Sequence, residues 1–259
     1  MGGPAAVIFD VDGTLAETER DGHRVAFNRA FAEAGLPWQW DERLYGELLA
    51  VTGGKERIAH YATRFDPEWL AAGDAQQRIA ELHARKNAHY AAIAEAGELP
   101  LRPGLPALFD ALAASGIRLA IATTTSRANV DVLLRTCLGP DAAGRFEAIV
   151  CGEDVTRKKP DPEAYRLALR WLELPAEHCV AVEDSANGLR AALGAGIATL
   201  VVRSLYTQAE DFGGALAVFD GYADAQAAGD GKRLLSAGFI AELGCATAPG
   251  RRAEGGGGR

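Results

Sequence analysis

The chain has 259 residues, 48% hydrophobic and 24% charged, a mix too apolar for general disorder and long enough for one large domain or two modest ones. No apolar run approaches the roughly 20 residues that a bilayer crossing needs, so no membrane partner is expected, and a net charge of −8 argues against nucleic acid. Four cysteines, Cys137, Cys151, Cys179 and Cys245, lie far apart with no CxxC pair; they read as reduced thiols of a cytoplasmic protein, not as a disulfide frame or zinc site. The opening MGGPAAVIFDVDG has no basic region ahead of its apolar residues and reads as neither a signal nor a transit peptide.

The first apolar run, 5–9, is short, partly β-branched and stopped by Asp10-Val11-Asp12-Gly13, which predicts a buried strand delivering acids at its C-terminal end. Residues 18–97 hold no strand pattern, only amphipathic helices punctuated by Gly35-Leu36-Pro37, Gly53-Gly54, Asp66-Pro67 and Gly73. Further strands are expected at 118–122, 148–151, 179–182, 198–202 and, more weakly, 216–219, with helices at 105–115, 129–137, 162–172 and 185–193. Strands and helices alternating at this spacing predict an α/β fold, a doubly wound parallel sheet of Rossmann type. Gly116, Gly194 and Gly196 fall just past helical stretches, where a left-handed cap is expected. The domain division that follows is a core from 1–17 and 98–225, a helical cap from 18–97, and a C-terminal extension from 226–259 ending in a disordered Gly-rich tail.

Ligands of a parallel sheet sit beyond the carboxyl ends of its strands. Four such ends carry polar chemistry: Asp10 and Asp12, then Thr123-Thr124-Thr125-Ser126, then Lys158-Lys159-Pro160, then Glu183-Asp184. Acids that complete buried strands are costly unless a cation neutralises them, and Asp10, Asp12, Glu183 and Asp184 together point to a hard divalent ion with oxygen ligands, Mg2+. Taken singly, each acid reads equally well as a helix cap or loop residue; as an ordered set they do not.

Asp10-Val11-Asp12-Gly13-Thr14-Leu15, Thr123, Lys159-Pro160 and Glu183-Asp184 together resemble the four motifs of the haloacid dehalogenase-like phosphatases, and the helical insertion resembles their C1-type cap. The resemblance implies that Asp10 is the nucleophile and Asp12 the general acid and base, with Thr123 and Lys159 holding the phosphoryl oxygens. It also implies that Mg2+ is held by the Asp10 and Asp184 carboxylates and the Asp12 backbone carbonyl, with Glu183 as a metal-shell acid.

Within the insertion, Glu19-Arg20-Asp21-Gly22-His23-Arg24, Trp40 through Leu49, Thr52-Gly53-Gly54-Lys55-Glu56-Arg57 and Leu82-His83-Ala84-Arg85-Lys86 resemble the CbbY branch of that family. This implies a sugar bisphosphate substrate, xylulose-1,5-bisphosphate, a misfire product of Rubisco. Glu19, His23, Gly53, Gly54, Lys55, Glu56, Arg57, His83 and Lys86 are then the candidate binding residues of the cap, and Thr124, Thr125, Ser126, Arg127 and Asn129 those of the core. Two rival readings share the same motifs: a phosphosugar mutase of the β-phosphoglucomutase type, and a non-catalytic phosphosugar-binding regulator. A monomer is expected.

The residues themselves speak to some of these positions. Ile79, Leu82, Lys86, Tyr90 and Ile93 form one helical stripe, so Lys86 either snorkels at a domain edge or crosses the cleft to a second, non-reacting phosphate. Glu19 and His23 are spaced i, i+4 in line with Phe27 and Ala30; His23 reads either as a structural histidine or as a contact for sugar hydroxyls. Gly53-Gly54-Lys55 lacks P-loop spacing, yet a Gly-Gly turn can present backbone N–H groups to a phosphate.

Overall fold

The computed structural model describes residues 3–223 and 232–243. Six parallel strands, β1 (Ala6–Phe9), β2 (Arg118–Ala122), β3 (Ala148–Val150), β4 (Cys179–Glu183), β5 (Ala198–Val202) and β6 (Ala217–Phe219), form one sheet in the order β3-β2-β1-β4-β5-β6. Their side chains are buried on both faces, Val7, Phe9, Ile121 and Val182 in one apolar layer and Ala6, Ile8, Ala122 and Ala181 in the other, as β-branched runs without polar alternation require. The strand order reverses at β1, whose neighbours are β2 and β4. Asp10 and Asp12 follow β1, and Asp184 follows β4, so the topology alone brings the acids together. Helices α6 (Leu105–Ala114), α7 (Arg127–Leu138), α8 (Glu163–Leu172) and α9 (Ala186–Gly194) connect the strands.

The insertion contains no strand. A π-helical turn (Glu19–His23) leads into α1 (Arg24–Glu33), followed by α2 (Glu42–Leu48), α3 (Gly54–Phe65), α4 (Pro67–Ala71) and the long α5 (Ala75–Glu95). It has its own aromatic core of Phe27, Phe31, Trp38, Trp40, Tyr45 and Tyr61, where each fully buried Phe contributes roughly 1.5–3 kcal/mol by area removed from water. The outgoing and returning linkers meet in a bridge between Ala16 and Leu101.

Two expectations need correction. Gly116 and Gly196 do adopt positive φ, +73° and +82°, but Gly194 is the last residue of α9, because the left-handed turn comes two residues later. Of the stretch 226–259, read as a C-terminal extension, the described residues 232–243 pack on the core. Strand β7 (Gly221–Tyr222) pairs with β8 (Leu234–Leu235), and α10 (Ala237–Glu242) follows. Leu235 and Ile240 are fully buried in the main core and Phe239 packs edge-on to Phe219, so residues 232–243 belong to the core domain. Cys245 and the Gly-rich tail lie outside the described residues.

Candidate active site

Asp10, Thr123, Lys159, Glu183 and Asp184 converge beyond the strand ends, each less than a tenth exposed. Lys159 Nζ donates to Asp10 Oδ1 and to Glu183 Oε1, both at 2.6 Å, and Tyr165 Oη donates to the same Glu183 oxygen at 2.5 Å. Glu183 is wholly buried; its Oε1 is already committed to Lys159 and Tyr165, so the geometry makes it the residue that aims Lys159. The other Asp10 oxygen has no hydrogen-bond partner among the described residues and is the one open to an electrophile or a metal.

Carboxylate oxygens of Asp10, Glu183 and Asp184 lie within 4.8 Å of one another. Burial, with the neighbouring acids Glu183 and Asp12, pushes the Asp10 carboxyl up to about 7 against the pull of Lys159. Burial, then Asp10 and Glu183, raise Asp184 well above the carboxylate range. Three buried acids sharing the single lysine Lys159 are short of positive charge, the situation a divalent cation with oxygen ligands resolves. Gly13 leaves room for this cluster: its φ is +80°, and a Cβ there would overlap the Asp184 carboxylate. The Asp12 carboxylate, counted among the metal acids from sequence, is not part of the cluster.

Asp12 sits instead at the end of a buried polar chain. Thr18 Oγ1 donates to Asp12 Oδ1 at 2.5 Å, His23 Nε2 lies 2.8 Å from the same oxygen, and Lys86 Nζ lies 2.7 Å from His23 Nδ1. A lysine ammonium can only donate, so His23 accepts at Nδ1 and donates from Nε2 to Asp12. Burial alone would raise the Asp12 carboxyl; His23, Thr18 and Lys86 outweigh it and hold Asp12 below its ordinary value. Lys86 is 3% exposed, so it does not snorkel, and burial lowers its own pKa to about 8. It borders the cavity where it was expected, but its ammonium is engaged with His23.

Two cavities meet over these residues. The first, about 360 Å3, contains Asp10, Thr123, Lys159 and Asp184. The second, about 500 Å3, is bordered by Lys55, His83, Lys86 and Lys158 and by Thr124, Thr125, Ser126 and Asn129. Asp12, Glu19, Gly53, Arg57 and Thr124 line both and form the neck between them. Gly53, with φ +101°, and Gly54 start α3 there, and a Cβ on Gly54 would stand 2.5 Å from His83 Nε2. At the neck, Tyr45 Oη donates to Glu19, and Arg57 donates to Tyr45 Oη at 2.8 Å with Glu19 3.8 Å away. Arg57 is therefore a buried brace between cap helices more than a free anion ligand. Arg127 is not brought to the site: its guanidinium is bonded to Asp131 at 2.8 Å on an exposed turn of α7.

Several supporting residues carried no sequence signal. Tyr165 lies on the apolar face of α8 and reads as core. Arg102, in the return linker, donates to the carbonyls of Gly13, Val202 and Arg203 at 2.6, 3.2 and 2.7 Å, pinning the Asp12–Gly13 loop to β5. Thr18 drew no reading beyond its place at the entry to the cap. Lys158 was named from sequence with Lys159 at a strand end, but no binding role was assigned to it.

Residues 4–196 match the haloacid dehalogenase-like hydrolase family. The chain is 48% identical to the CbbY protein of Cereibacter sphaeroides, over 85% of this chain and 93% of that one. It is 50% identical to a plasmid-encoded CbbY of Cupriavidus necator, over 82% and 84%. Among solved structures it resembles CbbY from Rhodobacter sphaeroides in complex with phosphate, with 48% identity, a TM-score of 0.78, and 84% and 94% of the two chains covered. A mutant of the same protein in complex with xylulose-(1,5)bisphosphate gives 47% identity and the same TM-score and coverage. No helix among the described residues is long and apolar enough to cross a membrane. The chain belongs to the haloacid dehalogenase-like hydrolases, in their CbbY branch, and is a phosphatase.

Proposed function

We propose that the enzyme is a Mg2+-dependent sugar-bisphosphate phosphatase working through an aspartyl-phosphate on Asp10, with xylulose-1,5-bisphosphate as its substrate. The observation that carries this reading is the pair of joined cavities: one contains Asp10 and Lys159, and the other is bordered by Lys55 and Lys158, which do not line the first. A monophosphate fills the first; a second phosphate explains the other. The complex of the related CbbY with xylulose-(1,5)bisphosphate supports the choice of sugar.

In this mechanism the free Asp10 oxygen attacks phosphorus while the bond to the sugar oxygen breaks. Asp12, through Oδ2, gives its proton to the departing sugar oxygen. Negative charge arriving with the substrate raises the proton affinity of a carboxylate that His23 and Lys86 otherwise hold ionised. Water then attacks the phosphorus of the aspartyl-phosphate, Asp12 takes the water proton, and inorganic phosphate leaves with Asp10 restored. Thr123 and Lys159 bear on the phosphoryl oxygens, and Lys159 is fixed for this by Glu183 and Tyr165. Asp10 and Asp184, with the Asp12 backbone carbonyl, would hold Mg2+. When bound it offsets the repulsion between an anionic nucleophile and a phosphate dianion.

The test is phosphate release from matched pentose and hexose mono- and bisphosphates with and without Mg2+. The reading expects the highest kcat/KM with xylulose-1,5-bisphosphate and stoichiometric loss of organic phosphate. Conversion to an isomeric sugar phosphate without release of phosphate would establish a mutase instead, and binding without turnover a regulator.

A further inference from the structure

Lys158 directly precedes the catalytic-site Lys159 but reaches the opposite way, toward the cap. Its Nζ lies 3.1 and 3.2 Å from the two carboxylate oxygens of Glu56, in the first turn of α3. The pair meets directly over Gly53. A Cβ on Gly53 would overlap the Glu56 carboxylate and come within 2.8 Å of Lys158 Nζ. The backbone there has φ +101°, a conformation that side chains rarely adopt. The turn is therefore shaped to leave a seat, and what fills the seat is an anion of the protein's own.

Cationic side chains gather around that seat. Lys55, His83 and Lys86 border the same cavity. Burial, with the charges of Lys86, Lys55 and Lys158, drives His83 down to about 3. Of the acids on that cavity, Asp12 is held by Thr18 and His23, Glu19 by Tyr45 and Arg57, and Glu153 by the Arg127 backbone N–H, which leaves Glu56 to face Lys55 and Lys158. The Glu56 side chain is about half exposed, at 47%, and Lys158 is 24% exposed, and an ion pair that open is weak and easily exchanged.

We infer that Glu56 is an internal stand-in for the substrate's second phosphate, and that a bisphosphate displaces it and takes Lys158 as its own contact. This rests on the bisphosphatase reading above. A phosphate dianion has more charge and more acceptor oxygens than a carboxylate, so it wins Lys158, and its charge repels Glu56 outward into solvent. A monophosphate brings nothing to the seat and leaves the Glu56–Lys158 pair closed. Lys158 thereby selects for doubly phosphorylated sugars, and Glu56 sets a threshold that weak anions do not cross. Because Lys158 and Lys159 are adjacent, an anion held by the first is tied through one peptide unit to the residue that holds Asp10.

The experiment is steady-state kinetics of the full chain with Mg2+ on xylulose-1,5-bisphosphate and on xylulose 5-phosphate, for wild type, Lys158→Gln, Lys158→Arg and Glu56→Gln. Lys158→Gln should raise KM for the bisphosphate about tenfold or more, with a much smaller change in kcat, as expected for a lost charge-assisted contact. The bisphosphate-to-monophosphate ratio of kcat/KM should fall with it, and Lys158→Arg should restore most of it. Glu56→Gln should move KM for the bisphosphate the other way, down by roughly twofold to fivefold, the range of an exposed ion pair. A rise in KM in Glu56→Gln would overturn the inference, since Glu56 would then be positioning Lys158 and not competing for it. So would equal effects of Lys158→Gln on both substrates. If wild type prefers the bisphosphate and no variant shifts that preference, this inference fails alone. If wild type shows no preference, the bisphosphatase reading fails and takes this inference with it.

Discussion

Thr18 and His23 both bond to Oδ1 of Asp12, which leaves Oδ2 as the oxygen able to exchange a proton with a leaving group or a water. Asp12→Asn preserves the shape and removes only that exchange. Turnover of a sugar phosphate, whose alkoxide leaving group needs a proton, should fall by about 10²–10⁴-fold. p-Nitrophenyl phosphate, with an activated leaving group, should lose at least about tenfold less. Comparing kcat on the two substrates checks this, and equal losses would mean that Asp12 acts through structure. Asp10 and Asp12 were legible because two acids closing an apolar run have no bland explanation as a pair. Thr18 was not, because a threonine in a linker looks the same whether or not its hydroxyl meets a carboxylate six residues away.

Helix α9 shows how an element with no catalytic side chain sets the site. Its N-cap Ser185 accepts from Gly188 N–H at 3.1 Å, and Gly188 faces the Glu183 carboxylate so closely that a Cβ would overlap it. In Gly188→Ala the carboxylate has to move off Lys159 and Tyr165. Unfolding in denaturant should show a loss of about 1–3 kcal/mol, typical of overpacking. kcat should drop at least about tenfold, because Lys159 loses its aim at the phosphoryl oxygens. A Gly188→Ala enzyme with wild-type kcat would show that Glu183 does not position Lys159. Most elements were readable from local patterns: strands 118–122 and 198–202 are found with the same bounds, since runs buried on both faces leave no polar alternation to confuse. Strands β7 and β8 were not, because two-residue pairings have no periodicity. The contacts of Arg102 and Tyr165 were hidden for a different reason, being made across about 100 and 18 residues of chain that only the sheet topology brings together.

For the molecule as a whole, the acid cluster makes folding depend on pH and, with the proposed ion bound, would make it depend on metal. Burial raises Asp10 from 3.8 to about 7, so between those values the folded state holds a proton that the unfolded chain releases. The sign follows: metal-free enzyme loses stability from Asp10 as pH rises from about 4 to 7. Thermal melts in chelator should therefore show wild type falling relative to Asp10→Asn across that window. Mg2+ should raise the Tm of wild type most at the upper end, where the ion replaces the proton. A wild-type Tm insensitive to Mg2+ at neutral pH would show that the acid cluster does not hold the ion.

The proposed reaction passes the phosphoryl group through Asp10. It is tested by acid-quenching the Mg2+ enzyme during turnover of a sugar bisphosphate labelled at its reacting phosphate, with Asp10→Asn run beside it. Label is expected on the peptide carrying Asp10 in wild type and none in the variant, with turnover of the folded variant lower by orders of magnitude. A folded Asp10→Asn enzyme that releases phosphate at the wild-type rate, with no label on wild-type protein, would contradict it.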